Sequence, residues 1–411
     1  LNLVLLILYP KVYFKFRVRE FMKLFKSLLV APATLGLLAP MSVTANELNI
    51  NDVSGYSSSE EIQNISEFNP AKEIAVTNSR VDGLEARFNN FDAGSFSETT
   101  TASFSADMYL GAVDGGDFDA NTIGAQEDSA VMTGYSFQID LNTSFTGEDS
   151  LDISIDAGNS GTTGMAEFDG NGGGDTLAVD GVSYTFPVGD KTTVIVGDNT
   201  DGSALFSTAC VYGGPSNTLD DCGNVNAGIT NGGAMAGASY DFGTGFTAAV
   251  GYAGPENGIM TEESKDAYGI NAAYTGDNYG VSLTYGVLET STTDEDTFTA
   301  FNAYYTPEGF PSISVGYEVG EDGSEPSAED GLDSYFLGLT WDEVGPGSAG
   351  VAFGTKSPTT EDGSEELMYE AYYSYPLNDG MTVTPLVFVK ENSTTGVDDE
   401  TGLMVKTSFS F

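Results

Sequence analysis

The chain has 411 residues, with 14 Lys and Arg against 61 Asp and Glu, a net charge of −47 and no histidine. That charge argues against nucleic acid as a partner, because neutralising phosphates needs a basic face, and the missing histidine removes every Ser-His-Asp, Cys-His and His-metal arrangement at once. With 40% apolar and 11% aromatic residues, the chain is too hydrophobic to be a disordered acidic polymer.

Residues 1–45 read as a leader. The apolar run Leu1 to Tyr9 is too short to cross a bilayer. A more orderly pattern opens at Met22: Lys23 and Lys26 form a basic start, Ser27 to Pro40 an apolar run, and Val43-Thr44-Ala45 a small-x-small cleavage site. Translation starting at Met22 is the simplest account, with the preceding residues a mistaken upstream extension; an unusually long leader is the rival. Residues 46–100 read as a separate N-terminal segment, in which Ile74, Val81, Leu84 and Phe88 lay out a short amphipathic helix. No run of about 18 apolar residues follows the leader, so any membrane crossing there must use strands.

Residues 101–411 settle into alternation with a period of two. Val131, Thr133, Tyr135, Phe137, Ile139 and Leu141 share one face, and Gly134, Ser136, Gln138 and Asp140 the other. A pleated strand sorts residues this way and a helix does not. Sixteen such runs begin near Ala102, Val131, Leu151, Val182, Thr192, Ala234, Phe246, Ala267, Tyr279, Phe298, Ser312, Ser334, Ser348, Glu366, Met381 and Leu403. Most hold about 8–11 residues, the length of a tilted membrane-spanning strand.

The connections alternate between tight turns, such as Gly189-Asp190, Gly276-Asp277-Asn278 and Asn378-Asp379-Gly380, and long stretches rich in Asp, Gly, Ser and Thr. Membrane barrels sort their connections in this way, whereas Greek-key sandwiches do not. The second face of each run is Gly, Ser, Thr, Asn and Asp, too small and polar to fill a core. The expected fold is therefore an all-β, transmembrane antiparallel barrel of about sixteen strands, oily rows toward lipid and polar rows toward water. Aromatics near strand ends (Tyr274, Tyr279, Tyr335, Trp341 and Tyr375) suit interfacial girdles.

Lumen-facing acids by parity include Asp107, Asp140, Asp152, Asp156, Asp241, Glu318 and Glu370, against three inward bases, Lys191, Lys390 and Lys406. Barrel arginine is absent, since Arg80 and Arg87 precede it. A carboxylate-lined path attracts cations and repels anions, so cation preference is expected; the alternative is that the acids only solvate loops in screening salt. Two Asp-Gly-rich stretches, Asp114 to Asp119 and Asp169 to Asp175, present clustered oxygens, but loop solvation accounts for them without a metal, and no cofactor is expected.

Three segments carry a family resemblance. Met22 to Tyr56 is similar to the leader and mature start of cyanobacterial outer-membrane porins, which are related to carbohydrate-selective porins. Val81-Asp82-Gly83-Leu84-Glu85-Ala86-Arg87-Phe88 resembles the short helical linker before their barrel, and Ser97 to Val113 their first strand. The family carries an S-layer-homology module between leader and linker; here that stretch is about 25 residues long and lacks the module's Asp-Trp-Ala motif, so the module is lost or reduced.

The resemblance implies passive diffusion of small hydrophilic solutes and ions, short periplasmic turns, long outer loops and a short periplasmic helix. It also implies a homotrimer in contact with outer-membrane lipid and lipopolysaccharide. The terminal Phe409 and Phe411 resemble the signal read by barrel-assembly machinery. By the same resemblance the third long loop, Gly197 to Asn231, folds inward as a constriction, with Asp198, Asp201, Asp220 and Asp221 near the eyelet. That loop holds both cysteines, Cys210 and Cys222; an exported protein favours their bridge, with free thiols or a redox pair as alternatives.

Three other functions compete. Substrate-selective uptake of sugar or iron would want lumen aromatics, for which Tyr109, Tyr304, Phe336, Tyr372 and Phe388 are inward by parity. A surface adhesin would want a plugged lumen and a large outer domain. An enzyme would need a base other than histidine, and no Gly-x-Ser-x-Gly elbow occurs.

Overall fold

The computed structural model describes residues 99–115, 130–160, 166–168, 170–230, 232–261, 265–290, 294–323, 331–360 and 364–411. The leader, the amphipathic stripe before residue 99, and Asp117, Asp119 and Asp169 lie outside them.

Seventeen strands follow one another: β1 (Thr100–Asp114), β2 (Met132–Thr143), β3 (Ser150–Gly158), β4 (Ala178–Val188), β5 (Thr192–Asp198), β6 (Ala234–Gly243), β7 (Phe246–Gly254), β8 (Ala267–Thr275) and β9 (Tyr279–Glu289). Then come β10 (Glu295–Tyr305), β11 (Ser312–Glu321), β12 (Gly331–Val344), β13 (Gly347–Thr355), the two-residue β14 (Thr359–Thr360), β15 (Leu367–Asn378), β16 (Met381–Lys390) and β17 (Glu400–Ser410). Each long strand pairs antiparallel with its sequence neighbour, β13 pairs β15, and β1 pairs both β2 and β17. β14 only flanks β12, so the result is a closed antiparallel barrel of sixteen strands. Closure leaves no row of unpaired backbone groups.

At the seam, Phe104 and Phe411 exchange two backbone hydrogen bonds of 3.0 Å, and their rings stack with centroids 5.9 Å apart. Tight turns join alternate strands; Gly189 and Gly345 adopt φ of 71° and 66°, a region a Cβ disfavours.

The side chains point as the alternation requires. Along β11, Ser312, Ser314, Gly316, Glu318 and Gly320 are buried while Ile313, Val315, Tyr317 and Val319 are exposed. Oily residues are likewise exposed on β7 to β10, including Val250, Ile270, Leu283 and Phe301. A water-soluble barrel would reverse this order; here the oily belt faces out. Rings gather at its two edges. Tyr240, Phe246, Tyr274, Tyr279 and Tyr305 lie by the tight turns, with Phe246–Tyr274 and Tyr274–Tyr279 centroids 4.6 and 5.5 Å apart. Tyr268, Tyr317, Tyr335 and Tyr369 stand nearer the long loops, as interfacial rings do.

The long-loop ends of β13, β15, β16 and β17 are tied by Glu366. Its carboxylate accepts from the Ser393 backbone N and Oγ at 2.6 and 2.7 Å and from Lys356 Nζ at 2.9 Å. These bonds, the Ser393 amide foremost, hold the Glu366 carboxyl down at about 2 from an ordinary 4.5. Because the folded value is the lower one, the stabilisation is full above about pH 4.5 and fades as pH falls toward 2. Protection of the Ser393 amide, judged from its exchange rate relative to the intrinsic rate at each pH, should therefore fall across that window, and in Glu366→Gln it should already be low at neutral pH and stay so across the window.

Candidate functional site

The inner wall from β6 to β13 is a row of small residues, and the segment between β5 and β6 lies on it. A Cβ on Gly316 would stand 1.7 Å from the Cys222 carbonyl oxygen, on Gly251 2.0 Å from that of Gly202, and on Gly286 2.8 Å from that of Ala227. The glycines therefore make a seat for the third long loop and do not themselves line water. An inward loop must find partners for its backbone, and successive strands supply them. Outbound, the amides of Ser207, Ala209 and Val211 donate to Asn271 Oδ1, Ser282 Oγ and Ser314 Oγ at 2.9, 2.9 and 3.0 Å. On the return limb, Asn302 Nδ2 donates to the Cys222 carbonyl at 2.9 Å and Ser334 Oγ to that of Gly223 at 3.3 Å. Glu318 accepts from the amides of Asn226 and Ala227 at 2.9 and 2.8 Å. The Cys210–Cys222 disulfide joins the two limbs.

Tyr212 completes the anchorage. Its hydroxyl donates to Glu370 Oε1 at 2.5 Å, and its ring meets Phe336 and Tyr372 edge-on at 5.2 and 5.8 Å. Around it a buried cluster forms inside the barrel from Leu219, Met368, Leu386, Phe388 and Met404.

The second long loop, between β3 and β4, also turns inward, which the sequence reading did not anticipate. Phe168 is 1% exposed and packs on Tyr109 with centroids 5.4 Å apart. Glu167 pairs with Lys390 of β16, accepts from Thr218 Oγ1 at 3.1 Å, and receives the Asn217 amide on its backbone carbonyl at 3.0 Å. The Asn171 amide donates to Ser136 Oγ at 2.7 Å, and its side chain donates to Asp156. A sequence signal did exist: Ala166-Glu167-Phe168 sets one large aromatic amid glycine and aspartate.

Among the described residues, a cavity of about 540 Å³ lies open against β17, β1, β2, β3 and β4, bounded on the loop side by Gly170, Asn171 and Gly172. Its charged lining is Asp107, Asp156, Asp180 and Lys406. Lys406 Nζ stands 3.5 Å from Asp107 Oδ2 and 6.0 Å from the Tyr109 ring centre. Nearby, Asp140 accepts from Gln138 and Ser154, both at 2.8 Å, and Asp152 accepts from Asn142 at 2.6 Å and Ser150 at 2.7 Å. Side-chain donors steady these acids without covering them: each is only half-buried.

Other expected site residues fall elsewhere. Asp198 shares the outward row of Val194 and Val196, by the register that turns Ile195 inward. Lys191 is exposed at a tight turn and donates to the Phe242 carbonyl at 3.3 Å, and Asp241 is exposed at the same end. Lys390 is spent on Glu167. Glu318 and Glu370, 1% and 5% exposed, are loop anchors and not wet lumen acids. Asp201, Asp220 and Asp221 are exposed on the third loop; the last two sit between Leu219 and Cys222, which are buried. The disulfide forms as expected. Among the lumen aromatics, Tyr109, Phe336, Tyr372 and Phe388 face inward and are buried, Tyr109 packing on Phe168 at the edge of the cavity and Phe336 and Tyr372 meeting Tyr212, and Tyr304 packs over Gly280.

A scan against models of known protein families finds no match, and a search of curated proteins finds none either. Solved structures do match. A variant of the Rhodobacter blastica porin aligns at 15% identity with a TM-score of 0.53, covering 76% of this chain and all of that one. Pseudomonas putida OprB aligns at 12% identity and a TM-score of 0.57, covering 76% of this chain and 94% of that one. A loop-deletion variant of OmpT, an outer membrane protein of Vibrio cholerae, aligns at 12% and 0.51, covering 76% and 100%. At such identities the likeness is one of fold.

Two substitutions test the loop seat. Gly316→Ala forces a methyl group against the Cys222 carbonyl; it should destabilise the barrel by about 1–3 kcal/mol, as overpacking does, read as a lower unfolding midpoint. Cys210→Ser should cost about 3 kcal/mol on the chain-entropy account of disulfides, and adding reductant to the unsubstituted protein should reproduce the loss.

Proposed function

We propose that this barrel is an outer-membrane pore for passive diffusion of small hydrophilic solutes and ions, with a preference for cations. One observation carries the reading: the oily rows face outward around a wet, charged sector that two inward loops leave open. A closed ring with an oily exterior is stable in lipid, where no water serves the backbone. Its interior then offers water-filled space with fixed charge, and no energy coupling is needed for flow down a gradient. Export by the leader, assembly guided by Phe409 and Phe411, contact with lipopolysaccharide and a homotrimeric state complete the proposal.

Cation preference follows from the charge in the open sector. Among the described residues, Asp107, Asp156 and Asp180 line it against one ammonium, that of Lys406, which Asp107 offsets, and Asp140 and Asp152 stand half-buried on the inner faces of β2 and β3. Burial of Glu318, Glu370 and Lys390 takes two acids and one base out of the water-filled path, so the sign of that path is still negative. A sugar-selective site has less to stand on, since Phe336 and Tyr372 are covered by Tyr212.

In planar bilayers under a salt gradient, the reversal potential should show cations favoured. Lys406→Gln should raise that preference, and Asp140→Asn with Asp156→Asn should lower it. A preference for anions in the unsubstituted protein would refute the reading. Raising the salt toward 1 M, where the Debye length is about 3 Å, should weaken the preference.

A further inference from the structure

Glu167 stands where three parts of the molecule meet. It belongs to the second long loop, its backbone carbonyl takes the Asn217 amide of the third at 3.0 Å, and its Oε1 receives Thr218 Oγ1 at 3.1 Å and the Lys390 ammonium of β16. Only 5% of the residue is exposed, and the Lys390 and Glu167 side chains are 14% and 6% exposed. Phe168 beside it is sealed against Tyr109, and Gly170, Asn171 and Gly172, close by in sequence, bound the open cavity. The third loop has its own seat in the glycine row. Among its described residues the second loop rests on Gly158 and Gly134, and Ser136, Asp156 and Ser160 hold Asn171; the Glu167 contacts are what bind it to the third loop and to β16.

We propose that Glu167 is a positioning residue that fixes the upper size of solute the pore admits, by clasping the second loop to Lys390 and to Thr218 of the third. The proposal rests on the pore reading above. A charged pair enclosed in this way is strong as a lock and sensitive to the loss of either member, because the survivor is left desolvated and unpaired. Releasing the clasp frees the stretch from Gly170 to Gly172 to withdraw, and the open sector widens. No charge that lines the sector is altered, so the effect of release falls on solute size and not on ion sign.

The test is swelling of proteoliposomes in sugars of graded size, alongside single-channel conductance and reversal potential in planar bilayers. Glu167→Gln, Lys390→Gln and the two together, the last leaving no unpaired buried charge, should each admit sugars that the unsubstituted pore excludes. Conductance should rise with little change in reversal potential. The exchanged pair, Glu167→Lys with Lys390→Glu, should restore the original size limit. An unchanged size limit in the double Gln variant would overturn the proposal, as would an exchanged pair that assembles into barrels yet keeps the wider limit. An unsubstituted protein that opens no conducting path would instead defeat the pore reading itself.

Discussion

Every backbone amide in a hydrocarbon layer must find its partner within the protein, and the pairing of β1 with β17 is where this chain meets that demand. Ten residue pairs close the ring, from Ser105 with Ser410 to Asp114 with Thr401. Once the ring is closed, each strand has one face outside and one inside, and a slip of one residue would exchange them. The register is therefore fixed by the cost of turning Glu318 or Asp140 toward lipid. Aromatic rings at both edges then match the belt to its surroundings. Fold, orientation and lumen chemistry thus share one origin.

The same constraint acts again within the lumen. An infolded loop brings backbone groups into an enclosed space, and each needs an answer. The wall gives it with Asn271, Ser282, Asn302, Ser314, Glu318 and Ser334, residues spread over five neighbouring strands. Between them, glycine lets the loop's main chain approach to within contact. A glycine-rich inner face thus has two possible meanings, a wet wall or a seat. In this barrel it is a seat from β6 to β13, and an open cavity lies on the side of β1 to β4 and β17.

How much of this was legible in the sequence differs from one part to the next. Starts that follow tight turns are legible in the alternation: Thr192, Phe246, Tyr279, Ser312 and Met381 are all true first residues. After long loops the alternation marks half of the starts late, Val182 for Ala178, Phe298 for Glu295, Ser334 for Gly331 and Leu403 for Glu400, while Ala234 and Ala267 are true first residues. Glycine-marked turns end a strand sharply, whereas near a long loop the oily row fades into polar residues while the hydrogen bonds continue. Parity puts Asp107, Asp140, Asp152, Asp156, Glu318, Glu370 and Lys406 on the inner side, whereas Lys191 and Asp241 lie exposed at a tight turn. What parity cannot tell is whether an inward residue meets water or another piece of chain: Glu318, Glu370, Phe336 and Lys390 point inward yet end on other parts of the protein. Loops fold by long-range contacts that leave little local trace; Phe168 was one such trace.

A division of labour between the two acidic side chains emerges from those corrections. The inward glutamates of β11 and β15 reach the third loop and end on its donors, the amides of Asn226 and Ala227 for one and the Tyr212 hydroxyl for the other. The inward aspartates of β1, β2 and β3 are one methylene shorter. They stay at the wall, steadied by Gln138, Asn142, Ser150 and Ser154 and by Lys406, and keep part of their surface in water. A carboxylate covered by charge-assisted bonds exerts little field on a passing ion, while a half-solvated one a few ångströms from the path acts before salt can screen it. Side-chain length therefore sorts these inward acids into glutamates that hold the loop and aspartates that stay half-buried at the wall.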